Sequence, residues 1–262
     1  MKIVVFLKQV PDNTKLKFND QGPVMEGVTW MMNPYDEYAL ETALRLKEKA
    51  GGEATVTLLS LGDGSAKEIV KKGISYGADA AFLLNDPAFS GNDSQANAYA
   101  LSQGLKQLVP DAQVLVFGQQ SLDDVCGQTG PMVAEYLGLP SLTFCKNADL
   151  NGTTLTAIRE TERGVETHEA QLPAVLCMMK CDYELRSSNI KGVMKANKTE
   201  IPFKSAAELG LDASKLGQAG SSTQTVKTWK RPDKTAGKVV DGADPQAAVD
   251  QVLNYLKEAK VL

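Results

Sequence analysis

The sequence predicts an α/β fold: a doubly wound, mostly parallel sheet with an extended C-terminal arm and a final helix. Three observations carry this expectation. Apolar, β-branched runs recur at KIVVFLK, ATVTLLSL, AAFLL, QVLVFG and AVLCMM. Helical patterns lie between them at DEYALETALRLKEKAG, GSAKEIVKKGISYGA, DSQANAYALSQGLKQL and TGPMVAEYLG. Near-continuous apolar strands separated by helices indicate a parallel sheet covered on both faces. After about residue 182 the periodicity fades, so residues 1–182 read as one α/β domain and residues 183–262 as a C-terminal arm.

Each element follows from local signals. The opening MKIVVFLKQVPD has only five apolar residues before Lys8, which makes it a first buried strand rather than a signal peptide. Residues 15–30 read as an inserted hairpin turning at Asp20-Gln21-Gly22. The first helix opens after Pro34, with Asp36 as its expected cap, and stops at Gly51-Gly52. In the arm, GQAGSSTQTVKTWKRPDKTAGKVVDGADP has few large apolar residues and is poorly placed to fold alone. The closing helix is expected to be capped by Asp244 with Pro245 in its first turn. Its stripe of Ala248, Val249, Val252, Leu253 and Leu256 calls for a docking surface.

Composition narrows the function. The chain has 262 residues, 43% hydrophobic and 23% charged, as expected of a globular protein with a real core. A formal charge of -4 argues against a nucleic-acid binder, and no apolar run approaches the length of about 20 residues needed for membrane insertion. A cytoplasmic location is expected. Cys126, Cys145, Cys177 and Cys181 form no CxxC pair, and His168 is the only histidine, so no metal site is expected. One histidine also argues against a hydrolytic triad. Chemistry here is expected to be carried by a cofactor.

Ligands of open parallel sheets sit beyond the carboxyl ends of the strands, where strand order reverses. The polar, small-residue segments FLKQVPD, SLGDG, GNDSQAN and GQQSLDDVCGQTGP leave strands or open helices, and MMNPYDEYALE opens the first helix. The candidate binding residues at this edge are Phe6, Leu7 and Lys8; Asn33, Tyr35 and Asp36; Leu61 and Gly62; and Asp93, Ser94, Gln95 and Asn97. The fourth loop adds Phe117, Gly118, Gln119, Gln120, Asp123, Val125, Cys126, Gly127, Gln128, Thr129, Gly130 and Pro131. Neither GxGxxG nor a Walker loop is present. An adenine nucleotide suits the edge nonetheless, with fourth-loop amides toward phosphates and Asn33 and Asp36 toward ribose or base. Plainer readings stand beside these: Asp93 and Ser94 as helix caps, Phe6 and Leu61 as core, Lys8 as a solvated strand end.

The motifs VVFLKQVPD, MNPYDEYALETALRLKE, SYGAD, GQQSLDDVCGQTGPMVAEYLGLP, LPAVL and IKGVMKANKTEI together resemble the beta subunit of electron-transfer flavoproteins, over the whole chain. The resemblance implies a Rossmann-like domain paired with an alpha subunit, which the C-terminal arm wraps. In the ordinary branch this subunit holds AMP, and the sole FAD lies mostly on the alpha subunit. In the electron-bifurcating branch the same pocket holds FAD, which takes a hydride from NADH. One electron then passes to ferredoxin or flavodoxin, and the other reaches a partner dehydrogenase through the alpha-subunit FAD.

KQVPD and NPYDEYALE look like the bifurcating branch. Gly127 and Pro131 stand where the ordinary branch has Asn and Gln, whereas Val125 and Thr129 stand where the bifurcating pattern has Asp and Val. In that branch the amides of Gln128 to Gly130 would meet the pyrophosphate, and Asp93, Ser94 and Gln95 the ribityl chain or pyrophosphate. The resemblance also makes residues 185–199 a recognition loop for a flavin-dependent dehydrogenase of acyl-CoA or hydroxyacid type. Ile190 would be its apolar anchor, with Lys191, Met194, Lys195 and Lys198 around it. As spaced lysines, Lys191, Lys195 and Lys198 equally fit a solvated face. An adenine-nucleotide sensor of universal-stress type shares the sheet but leaves the arm unexplained.

Overall fold

The computed structural model describes all residues except 13, 15, 20, 21, 230, 231 and 233–236. It divides into two compact units, Met1–Lys17 with Pro23–Lys227, and Phe18–Gly22 with Thr228–Leu262.

The first unit is organised by β1 (Lys2–Leu7), whose side chains alternate between two cores. Ile3, Val5 and Leu7 face one core, and Val4 and Phe6 face the other, because successive strand residues point to opposite sides. Short β2 (Gln9–Pro11) pairs antiparallel with β5 (Trp30–Met32). Between them β3 (Lys17–Asn19) and β4 (Gly22–Val24) form a two-stranded ribbon. Asp20 and Gln21 of the expected hairpin turn lie outside the described residues.

Helix α1 (Pro34–Ala50) starts at Asn33 and ends at Gly51, whose φ of 81° is readily adopted only by glycine. Asp36 does not cap it: the carboxylate turns inward, as described below. There follow β6 (Thr55–Leu61), α2 (Lys67–Tyr76), β7 (Ala80–Leu84), α3 (Ser94–Leu108), β8 (Val114–Gly118) and α4 (Thr129–Leu137). Side chains of α1 and α2 build the core on one face of the sheet, and those of α3 and α4 the core on the other.

Three strands were not expected. β9 (Ser141–Asn151), β10 (Thr154–Thr161) and β11 (Gly164–Gln171) form an antiparallel extension, after which β12 (Ala174–Met178) returns to the parallel sheet. The two-residue loop Gly152-Thr153, with Gly152 at φ 59°, makes the first of these hairpins. The nine-stranded order is β11-β10-β9-β12-β8-β1-β6-β7-β13. From β1 the chain builds outward through β6 and β7, then crosses to β8 on β1's other side. The strand order therefore switches between β1 and β8.

The first unit runs on to Lys227, whereas the α/β domain was expected to end at residue 182. Helix α5 (Ile190–Lys198) packs on α2, and β13 (Phe203–Lys204) extends the sheet beside β7. Ala196, Ile201, Ala206, Leu209 and Leu216 are buried in the two cores. These isolated apolar residues carry no period, so the composition hid their packing. A short α6 (Gly217–Gly220) follows. In the second unit, α7 (Pro245–Glu258) is capped by Asp244 through the amides of Gln246 and Ala247, as expected, and none of its residues is buried. Among the described residues no helix is long and apolar enough to cross a membrane, and no group of His, Cys, Asp or Glu side chains is placed to hold a metal.

Candidate functional site

A cleft opens at the carboxyl ends of β6, β1 and β8, at the switch in strand order, where ligands of such sheets bind. Counted out to its open mouth it encloses about 690 Å³. One wall is apolar, made of Phe6, Leu59, Leu61, Leu101 and Phe117. The rings of Phe6 and Phe117, on neighbouring strands, stack with centroids 3.9 Å apart and an 8° tilt. The opposite side is polar, with Asn33, Asp36, Gln119 and Gln120 running into Gly127, Gln128, Thr129 and Gly130 at the start of α4. A helix start presents unpaired N–H groups and a partial positive charge, which suits a phosphate.

Close backbone approach builds this corner. A Cβ on Gly118 would clash with Asp36 Oδ1 and lie 2.7 Å from the Tyr35 carbonyl carbon, so only glycine lets α1 begin against the end of β8. A Cβ on Gly130 would lie 2.5 Å from Cys177 Sγ, so the start of α4 sits directly on β8 and β12. Gly127, at φ 64°, needs the left-handed region.

The polar side chains are largely spent on one another. Asn33 Nδ2 donates to Asp36 Oδ1 and to the Gln120 carbonyl, each at 2.9 Å, and Asn33 Oδ1 accepts from the Leu122 amide. Asn33 therefore ties the fourth loop to α1 and has little left for a ribose. Asp36 Oδ2 accepts from the Lys8 amide at 2.7 Å. The Asp36 side chain is only 5% exposed, and burial pushes its carboxyl up to about 7 against the pull of those hydrogen bonds and the nearby Lys8 charge. Gln119 Oε1 accepts from the Phe144 amide at 2.7 Å. Lys8 Nζ reaches Ser121 Oγ, Asp123 and Asp124 at 2.8–3.1 Å. Burial works against the Lys8 charge, but the hydrogen bonds and charges of Asp123 and Asp124 outweigh it and hold the ammonium above its ordinary pKa.

The cleft thus gathers Phe6, Leu7, Lys8, Asn33, Asp36, Leu61, Asn97, Phe117, Gly118, Gln119, Gln120 and Gly127 to Gly130 from the expected set. Tyr35, Gly62, Asp123, Val125, Cys126 and Pro131 stand just behind its lining, within the same segments. Asp93, Ser94 and Gln95 do not line it. Asp93 caps α3 through the amides of Gln95 and Ala96, and its second oxygen accepts from Ser222 and Thr223. Gln95 accepts from the Ser222 hydroxyl. These residues fasten the chain after α6 to α3, so the plainer capping reading holds for Asp93. Leu59, Leu101, Ser121 and Asp124 line the cleft without having been singled out. Leu59 was readable as the inward-facing neighbour of Leu61 two residues away, and Leu101 had no signal beyond its helix's apolar stripe.

The expected docking residues sit on α5. Ile190 is 81% exposed, with Val193 and Met194 also open to solvent. Asn189 caps the helix through the Gly192 amide at 2.8 Å. A Cβ on Gly192 would clash with the Ser75 carbonyl oxygen, so glycine lets α5 lie directly on the end of α2. Lys195 Nζ donates to the Ala78 carbonyl at 2.9 Å and pairs with Asp79 at 3.6 Å, which takes it out of a freely solvated face.

A doubly wound parallel sheet with a part-apolar, amide-edged cleft at its switch point defines a ligand-binding α/β protein. The family description "Electron transfer flavoprotein domain" matches residues 24–209. The chain is 36% identical over 271 residues to the electron transfer flavoprotein subunit beta of Megasphaera elsdenii, covering 100% of both chains. It is 35% identical to the subunit beta of Clostridium acetobutylicum over 98% of both, and 36% identical to the protein FixA of Azorhizobium caulinodans over 91% of this chain and 87% of that one. The chain belongs to the electron transfer flavoprotein family as a beta subunit, a component of redox electron transfer.

Proposed function

We propose that this beta subunit pairs with an alpha subunit and holds FAD in the switch-point cleft. There the flavin accepts a hydride from NADH and divides the electrons between ferredoxin or flavodoxin and, through the alpha-subunit FAD, a flavin-dependent dehydrogenase. The observation that carries the reading is the cleft itself, with a flat apolar wall facing the amides of Gln128 to Gly130. An adenine ring suits the wall, and phosphates suit the helix start. Gly127 adds to it by leaving its part of the lining without a side chain. FAD supplies the hydride and electron chemistry when bound; the residues of this chain bind and orient it. The dehydrogenase, of acyl-CoA or hydroxyacid type, would dock on the apolar tip of α5, and the complex would work in the cytoplasm.

AMP is the second reading, favoured by the loop of Asp123 and Asp124, which Lys8 holds at the mouth of the cleft. Flavin content of the purified heterodimer separates the two. Two FAD per heterodimer supports the first reading, and one FAD with one AMP rejects it.

A further inference from the structure

We propose that Lys8 is a positioning residue of the cleft: its ammonium grips Ser121, Asp123 and Asp124 and so sets the amides at the start of α4 for a nucleotide phosphate, without touching that phosphate. This rests on the reading of the cleft as an adenine-nucleotide site. A lysine has three N–H donors and no acceptor. Here three acceptors meet them, Asp123 Oδ1 at 2.8 Å and Ser121 Oγ and Asp124 Oδ2 at 3.1 Å. No donor is left to reach into the cleft.

The gripped segment is a tight turn. Ser121 Oγ donates to Asp124 Oδ1 at 2.6 Å, the Cys126 amide donates to the same oxygen at 3.1 Å, and the Val125 amide donates to the Ser121 carbonyl at 3.0 Å. Val125 and Gly127, both left-handed at φ 56° and 64°, turn the chain directly into Gln128 and the first turn of α4. Whatever holds Ser121 to Asp124 therefore fixes where those amides point. The ion pairs do a second thing. Two neighbouring carboxylates at the mouth of the cleft would repel each other and an incoming phosphate, and Lys8 neutralises them. A direct role in phosphate binding would require Lys8 to abandon both carboxylates.

The two roles predict different couplings. AMP and adenosine affinities are measured by calorimetry on the heterodimer stripped of bound nucleotide. The variants are Lys8→Met, the double variant Asp123→Asn with Asp124→Asn, and the triple variant. The expected result is that Lys8→Met weakens AMP by about tenfold and adenosine by less than about twofold. In the background lacking both carboxylates, Lys8→Met is expected to change AMP affinity by less than about twofold, because the grip is already gone. A tenfold loss that persists in that background makes Lys8 a direct phosphate ligand and overturns the proposal. Equal losses of AMP and adenosine reduce Lys8 to a general prop for the fold and overturn it as well. Wild-type protein that binds neither compound overturns the nucleotide reading itself, a result distinct from both.

Discussion

At the strand-end cleft, polar side chains are satisfied by one another. Asn33, Asp36, Gln119 and Lys8 have partners from β1, α1, β9 or the fourth loop, and the surfaces left for a ligand are apolar rings and backbone amides. On α5 the polar groups are also satisfied internally, with Asn189 on its own helix and Lys195 on Ala78 and Asp79. What α5 leaves free is an apolar tip of Ile190, Val193 and Met194. The cleft hides its apolar surface in a concavity, and α5 exposes its own on a convex helix. The difference fits a small flat ligand in one place and a protein surface in the other.

The sharpest way to break this contrast is to fill the cleft's corner. Gly118→Ala places a methyl group against Asp36 and the backbone of Tyr35, neither of which is the far end of a flexible side chain. Overpacking against backbone is expected to cost about 3 kcal/mol and to displace the start of α1, abolishing nucleotide binding. Denaturant unfolding and calorimetry read the two effects. A variant of wild-type stability that still binds would mean the corner is looser than its geometry implies.

The pH dependence of stability tests the same corner more gently. Burial raises the folded-state pKa of Asp36 from 3.8 to about 7, so the folded state holds this proton more tightly than the unfolded chain. The resulting contribution is fully present below about pH 4 and is lost as pH rises toward about 7. The groups facing it are the amides of Lys8 and Gly118, the Asn33 side chain and the Lys8 charge. A loss on the order of 2 kcal/mol is expected across that window. Asp36→Asn should flatten this part of the profile, and an unchanged slope would show that Asp36 does not set it.

On α5 the informative substitution is Ile190→Ala. The side chain is almost wholly exposed, so stability and flavin content should stay within experimental error. Half-saturation for the partner dehydrogenase should rise about tenfold, as for an interface anchor. An unchanged value would leave α5 as an exposed face with no docking role.

Which of these features the sequence disclosed depends on how local their causes are. The parallel strands and the cleft-edge loops were legible because apolar runs and glycine-rich polar loops are local signals. The antiparallel strands β9 to β11 were legible only weakly, through the Asn151-Gly152 turn and the spacing of Leu155 and Ala157. The attachment of residues 183–227 was not legible. It depends on single buried residues such as Ala196 and Leu209, and on a bond from Lys195 to Ala78 that spans 117 positions. The same holds within the cleft. Lys8 and Asp123 are 115 positions apart, and nothing in FLKQVPD or GQQSLDDVCGQTGP announces that each satisfies the other.

The smallest expected effect is a gain. Val125 sits in the fourth loop at φ 56°, a region where a β-branched side chain crowds its own backbone, at a cost of about 1–2 kcal/mol. The side chain is 57% exposed, so little burial offsets that strain. Asparagine adopts the left-handed region readily and keeps the amide that bonds to Ser121. Val125→Asn is therefore expected to stabilise the protein by about 1 kcal/mol, read as a shifted denaturation midpoint with an unchanged slope. The gain should be local to the turn that Lys8 grips, so it should appear as greater hydrogen-exchange protection at residues 121–127 and not on α5. If the midpoint falls, Val125 makes a compensating contact in the heterodimer, and the loop's strain belongs to the partner interface rather than to the cleft.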